Sequence, residues 1–525
     1  MSHRGNGAAS YDAIVVGAGH NGLTCAAMLG RAGRRVLVLE RSSFVGGMAA
    51  SEEFHPGYRS AGLLHDTTGV RPEVARALDL QRHGLKLRGE RAPVLALGDD
   101  GRGLLLHGDA GKAAAEISQH SSRDSERYLP YRAFLDRLRG ALGSFLDEPP
   151  VNLVDLESEG AWGLIKRALR VRRLGGAEMM ELLRLPPMCA GDWLDEWFET
   201  DLLKAALCLP AIAGGWMGPR SPMSNASLLL WESAAGPGVV GGGPALVAAL
   251  KKSARSAGVE IRTRAQVQRV LTDAGAAQGV VVDGSEEIQA PVVAASCDPK
   301  SLFLRLLPAG AIASKLEQRI RAYRARGTTA QVLLALDAPL RFTCRGNQGG
   351  VEQARTGSRL SDLERAFDAI KYRRFSESPI LDIHIPTVAS PDLAPEGHSV
   401  VSILVHFAPY DLEPEWNDSQ RHALGDRVIE ILARHTAGLR PSIVSGMVLS
   451  PADLEARYGA WGGQIHHGEQ TLDQMLVRPA PECYGYATPI KGLYLCGSGS
   501  HPGGGLTCLP GKLAAETILR GSRRR

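Results

Sequence analysis

The tightest constraint lies at the front of the chain, where the apolar, β-branched run at residues 12–16 (DAIVV) passes directly into Gly17-Ala18-Gly19-His20-Asn21-Gly22, a GxGxxG. Residues 23–29 are helix formers mixed with small side chains, Gly33 closes that segment, and residues 36–39 (VLVL) form a second apolar run ending in Glu40 and Arg41. Strand, glycine turn, helix and strand in this order predict a βαβ unit. Each glycine has its own duty: Gly17 permits the tight turn, Gly19 lets main chain approach a pyrophosphate, and Gly22 lets the helix pack on the strand. The helix start at His20 and Asn21 then offers N–H groups and the positive end of its dipole to phosphates. Glu40 is placed to accept hydrogen bonds from both hydroxyls of an adenosine ribose.

This unit serves NAD and FAD alike, so the choice rests on two further segments. Soon after Arg41 comes Gly46-Gly47-Met48, a glycine pair that brings main chain close to a second part of an extended cofactor. At the far end, residues 492–506 (GLYLCGSGSHPGGGL) precede a helical stretch at 512–519. The run LYLC ending at Gly497 predicts a strand that rejoins the first sheet. The turn Gly503-Gly504-Gly505-Leu506 predicts a helix N-terminus facing an electron-rich group such as a flavin pyrimidine ring. Together the two segments favour FAD.

Residues 259–263 and 265–271 read as strands, residues 278–282 followed by Asp283-Gly284 as a hairpin, and residues 291–295 (PVVAA) as a buried strand returning to the nucleotide sheet. The expected organisation is a discontinuous FAD-binding domain (1–70, 236–300 and 481–525) and a substrate domain (71–235 and 301–480). In fold class this is α/β: a Rossmann-type, glutathione-reductase-like domain with an inserted α+β substrate domain. Only one complete strand-GxGxxG-helix unit is present, so no separate NAD(P)H domain is expected, and the electron acceptor is left as oxygen or a quinone.

Composition narrows the remaining classes. The 60 basic and 56 acidic side chains nearly cancel, which disfavours a nucleic-acid partner. Eight cysteines are scattered without a CxxC or a Cys/His cluster, as expected for reduced thiols in a cytoplasmic protein with no metal site. Residues 1–10 lack the apolar core of a secretory signal, and no uninterrupted apolar run reaches 18 residues. Phosphate-loop, zinc-helix and nucleophile-elbow motifs are missing. Residues 162–174 (WGLIKRALRVRRL) carry five cations among apolar residues, which suits either peripheral contact with an anionic bilayer or a solvated basic face.

The segments VVGAGHNGL (15–23), GRRVLVLER (33–41), Gly46-Gly47 and KGLYLCGSGSHPGGG (491–505) closely resemble FAD-containing phytoene-desaturase-like proteins. Within that family the resemblance is to the branch of pyridine-nucleotide-disulphide oxidoreductase-domain flavoproteins, relatives of carotenoid desaturases, carotenoid isomerases and retinol saturase. It continues through residues 83–87 (HGLKL), 218–222 (GPRSP) and 461–469 (WGGQIHHGE), and so spans most of the chain. The resemblance implies main-chain contacts to the adenine from the strand around Val267. Met48 departs from it, standing where carotenoid desaturases commonly have arginine, which argues against a simple phytoene desaturase. Cys508 departs too, as a thiol where a small residue is usual, either reactive or buried and inert.

The chemistry expected is removal of hydride from a C–H of a small hydrophobic, polyene- or lipid-like substrate to flavin N5, giving a carbon–carbon double bond. Such a reaction needs little acid/base help beyond loss of one proton. His467 and His501 are the candidates for that role, although histidines in such loops also serve as structural hydrogen-bonding groups. An FAD-dependent amine oxidase and a non-redox isomerase or binding protein are the alternatives.

Overall fold

The computed structural model describes residues 11–150, 165, 168–173, 175–346, 350–475 and 477–523. Strand β1 (Ala13–Val16), helix α1 (His20–Arg31) and strand β2 (Val36–Leu39) form the βαβ unit read from the sequence. They sit in a five-stranded sheet ordered Leu493–Leu495, Val293–Ala295, β1, β2 and Glu260–Arg262, with every neighbouring pair parallel. A parallel sheet is covered on both faces, which is why β1 and β2 are uninterrupted apolar runs.

The side-chain period of two divides those runs cleanly. Val15, Val36 and Val38 pack with α1, with the helix Gly242–Ser256 and with the C-terminal helix Leu509–Arg523. Ile14, Val16, Leu37 and Leu39 face the antiparallel sheet of Val267–Asp273, Ala276–Val282 and Glu286–Gln289. Asp283 and Gly284, with φ of 47° and 90°, make the hairpin turn in that sheet. This is a Rossmann-type nucleotide-binding fold. The C-terminal helix starts at Leu509, three residues before the stretch read as helical, because Cys508 takes a positive φ of 60° and the chain turns into the helix there.

A seven-stranded mixed sheet makes the second lobe. Its order is Ile443–Leu449, Thr329–Leu336, Ser399–His406, Ile380–His384, Gln353–Arg355, Val94–Leu97 and Gly103–Leu106. One face is apolar: Val332, Leu334, Ile383, Val401, Ile403 and Val405 pack against Leu424, Val428 and Leu432 of the helix Asp418–His435. The other face carries Gln331, Arg355, Asp382, His384, Ser402 and His406, held together by the pairings Arg355 with Asp382 and His384 with Ser402. Strands Thr329–Leu336 and Ser399–His406 are buried at every position, so this polar face is turned inward. Helices Ser122–Asp147, Ala190–Trp197, Asp201–Ile212 and Ser224–Ala234 pack on one another around Tyr131, Trp193 and Leu203.

No helix among the described residues is long and apolar enough to cross a membrane. Of the basic stretch 162–174, residues 162–164, 166, 167 and 174 lie outside the described residues. All eight cysteines are free thiols.

Candidate active site

A groove runs along the carboxyl ends of the parallel strands, between β1 and Val293–Ala295, where the strand order reverses direction. Gly17 turns the chain with φ of 97°. A Cβ on Gly22 would lie 2.1 Å from the Gly17 carbonyl oxygen, so only glycine lets α1 pack this closely on β1. A Cβ on Gly19 would meet nothing within 4 Å, and no side chain caps α1 there. The helix start therefore opens into the groove, as a site for phosphate requires.

The glycine pair completes the same cradle. The Gly46 N–H donates to the Ala18 carbonyl at 2.9 Å, and Gly47 lies against Gly19. Glu40 ends β2 buried, its carboxylate accepting from the Ala18 N–H at 2.8 Å and the Ser42 N–H at 2.9 Å. These bonds hold the carboxylate in place and leave lone pairs on both oxygens for a ribose diol. Gly17, Gly19, His20, Asn21, Glu40, Arg41, Gly47, Met48 and Val267 line the groove, while Gly22 and Gly46 support it from behind. Replacing Glu40 by alanine is expected to weaken FAD binding roughly ten- to a hundredfold, the worth of charged hydrogen bonds. A fluorescence titration of the apoprotein with FAD checks this, and unchanged affinity would remove Glu40 from the site.

The carboxyl-terminal loop closes the other end. Asn21 Nδ2 donates to Ser498 Oγ at 3.1 Å, joining two glycine turns 477 residues apart. Gly497 is packed so tightly that a Cβ would lie 2.4 Å from the Ser296 carbonyl. Gly504, Gly505 and Leu506 do not line the groove itself; they form one wall of an adjoining chamber, with His466 pressed against Gly504. Leu64 and Ile465 line both spaces and mark the junction between them. A long groove with an open helix start, a fixed acid and a glycine wall at its inner end fits an extended FAD.

The histidines fall into different places. His467 lines the groove and His466 the chamber, so the adjacent pair is split between the two spaces. His501 lines a separate small cavity beside Arg478, Cys483 and Tyr486, and neither of the two larger spaces. Burial pushes His20 and His466 down to about 4 and His467 to about 3, the last helped by His20, Arg478 and His466. A neutral imidazole this hard to protonate orients a partner by hydrogen bonding rather than carrying a proton at neutral pH. Burial also pushes the Cys508 thiol up to about 12, which makes it an inert packing group.

Several site residues escaped the sequence reading. Ser296, Cys297, Arg305 and Tyr458 line the groove, and Arg478 stands behind the histidines, donating to Tyr323 Oη at 2.8 Å and to the Gly468 carbonyl at 3.2 Å. Ser296 and Cys297 were reachable, because they follow the strand placed in the nucleotide sheet and ligands gather at such carboxyl ends. Arg305, Tyr458 and Arg478 are single residues in stretches with no motif. No group of His, Cys, Asp or Glu suited to a metal occurs among the described residues.

Fold and site together define an FAD-dependent oxidoreductase. The chain belongs to the flavin containing amine oxidoreductase family, whose model matches residues 22–519. It is 33% identical to the pyridine nucleotide-disulfide oxidoreductase domain-containing protein 2 of Rattus norvegicus, over 97% of this chain and 93% of that protein. It is 30% identical to a limonene dehydrogenase polypeptide of Castellaniella defragrans, over 97% and 94%. Phytoene desaturases are more distant: the lycopene-forming one of Pantoea ananas is 24% identical over 96% of this chain and 98% of its own length. Among solved structures, a triple mutant of putrescine oxidase superposes with a TM-score of 0.61 at 15% identity, over 98% of this chain and 99% of that one, a likeness of fold. The resemblance read from the motifs thus holds at the level of family and branch.

Proposed function

We propose that this protein removes two hydrogens from adjacent carbons of a largely apolar substrate, one as hydride and one as a proton, to leave a carbon–carbon double bond, with oxygen or a quinone as final acceptor of the electron pair. The observation that carries this reading is the chamber sharing Leu64 and Ile465 with the dinucleotide groove, whose lining includes Leu404, Leu506, Leu230 and Ala213. Bound FAD supplies a two-electron acceptor. The apolar walls hold the reacting carbon and exclude water, and the neutral His466 and His467 position groups around the junction without offering a charge. The names of the limonene dehydrogenase and phytoene desaturase relatives support the same class of reaction.

A second reading, amine oxidation, is favoured by Asp66. Its carboxylate lies exposed on the chamber wall, accepts from the Trp231 Nε1–H and the Thr68 N–H, and has no cation partner among the described residues. Mixing the FAD-loaded protein anaerobically with terpenes, polyenes and primary amines separates the readings. Loss of the oxidised flavin band with the hydrocarbon set is expected; bleaching by amines alone would replace the desaturase reading with the second one.

A further inference from the structure

The chamber continues past Asp66, Pro210, Trp231 and Arg355 into a deeper one, and both rest on the inward polar face of the seven-stranded sheet. A sheet face buried within a lobe is ordinarily apolar, as the opposite face of this sheet is. Polar residues therefore need partners, and the ionic ones have them. Arg88 pairs with Glu352 at 2.6 Å, Arg132 with Glu232 at 3.0 Å, and Arg355 with Asp382 at 3.5 Å.

Three histidines on this floor do not. His65, His384 and His406 are all buried, yet Nδ1 of His65, Nδ1 of His384 and both ring nitrogens of His406 have no protein partner. His65 lines both chambers, His406 the nearer one and His384 the deeper one, and the His65 and His384 rings lie 5.0 Å apart. Each buried polar atom left without a hydrogen bond is destabilising, so the floor is incomplete without a polar guest.

The surrounding bonds set which guest suits it. Ser402 Oγ accepts from Gln331 Nε2 at 2.9 Å and lies 2.7 Å from His65 Nε2. Using every donor, the Ser402 proton goes to His65 Nε2, and the neutral His65 ring carries its own proton on Nδ1. His384 Nε2 faces the Glu352 carboxylate at 3.5 Å, an acceptor only, which puts a proton on Nε2 and leaves Nδ1 to accept. Burial, with neighbouring His384 and His406, holds His65 well below the ordinary histidine value, and burial pushes His406 down to about 4. The floor thus presents one donor and one acceptor side by side, with no unpaired cation for a carboxylate.

We infer that His65 and His384 form a subsite for a hydroxyl group, so that the substrate is an amphipathic alcohol whose apolar portion reaches back to the Leu64 and Ile465 junction. The hydroxyl accepts from His65 Nδ1–H and donates to His384 Nδ1. This deepens the oxidation reading and rests on it.

Equilibrium dialysis of the FAD-loaded protein with radiolabelled 1-dodecanol, in competition with unlabelled 1-dodecanol, dodecane or dodecanoate, tests the inference. The alcohol is expected to compete roughly tenfold better than the alkane and better than the carboxylate, the worth of one or two neutral hydrogen bonds. His384→Leu should reduce that advantage to about twofold or less, and His384→Gln should restore part of it. Equal competition by dodecane, stronger competition by dodecanoate, or an undiminished advantage in His384→Leu would overturn the subsite. The wild-type competition needs no variant to fold. Because dialysis reads occupancy, its failure alongside intact anaerobic bleaching by terpenes rejects the subsite alone, whereas absence of bleaching rejects the oxidation reading.

Discussion

Replacing Gly22 by valine is expected to yield a colourless protein whose affinity for FAD has fallen by more than about a hundredfold. A Cβ at this position would sit 2.1 Å from the Gly17 carbonyl oxygen and 3.1 Å from Ser296 Cβ. The nearest obstacle is backbone, so no side chain can swing aside, and α1 has to move away from β1. That movement opens the helix start that faces the phosphates. It also pulls Asn21 from Ser498 and disturbs the C-terminal helix, which packs so close that a Cβ on Gly511 would lie 2.1 Å from the Asn21 carbonyl. Gly19→Ala is the informative companion. Gly19 has φ of −67° and open space around it, so the variant should fold with near-normal stability and lose affinity only through crowding of the cofactor. Absorbance at the flavin band after purification, with and without added FAD, reads both variants. A yellow Gly22→Val protein with full flavin content would refute the packing argument.

The second large effect expected is loss of stability in mild acid. His20, His406 and His466 are held at about 4 and His467 at about 3, against an ordinary histidine value of 6.5, and in each case burial is the main cause. Between those values the unfolded chain binds protons that the folded chain refuses. Stability is therefore complete above pH 6.5 and is lost progressively as pH falls towards 4. At pH 5 each such histidine contributes a loss of about 2 kcal/mol. Asp298 works in the opposite direction: burial raises its carboxyl to about 7, so the folded state gains a proton there on acidification and offsets roughly one histidine. The balance is a loss of several kcal/mol. Thermal unfolding followed at pH 7.5 and pH 5 is expected to show a Tm lower by several degrees at the acid value, with flavin released into solution. Equal Tm values at the two pH values would mean that these rings are solvated or partnered in the folded state.

What the amino-acid sequence determined by itself is the cofactor half of this protein. Gly17, Gly19, Gly22 and Glu40 act through local geometry: a turn, an open helix end, a close helix contact and a strand terminus, all within one βαβ unit whose apolar periodicity is unmistakable. The joining of the carboxyl-terminal strand to that unit was also legible, since LYL is a short apolar run flanked by glycine turns and the parallel sheet has an edge beside Val293–Ala295 to receive it.

Tertiary structure alone decided the substrate half. His65 comes from a loop, His384 and His406 from two strands, and Arg478 and His467 from turns between unrelated elements, with no shared spacing to read. The strand Ser399–His406 reads as SVVSILVH, in which Ser402 and His406 look like the solvent side of an ordinary half-exposed strand. Only the folded lobe turns that side inward, and a polar face becomes a binding floor when helices and the dinucleotide domain cover it. Likewise His501, placed in the flavin-facing loop by its neighbours in sequence, is carried to a different cavity, whereas His467, embedded in an otherwise unremarkable turn with φ of 54°, reaches the groove. Backbone motifs declare themselves because their function depends on neighbours in the chain; side chains that converge from distant strands do not, because their function depends on neighbours in space.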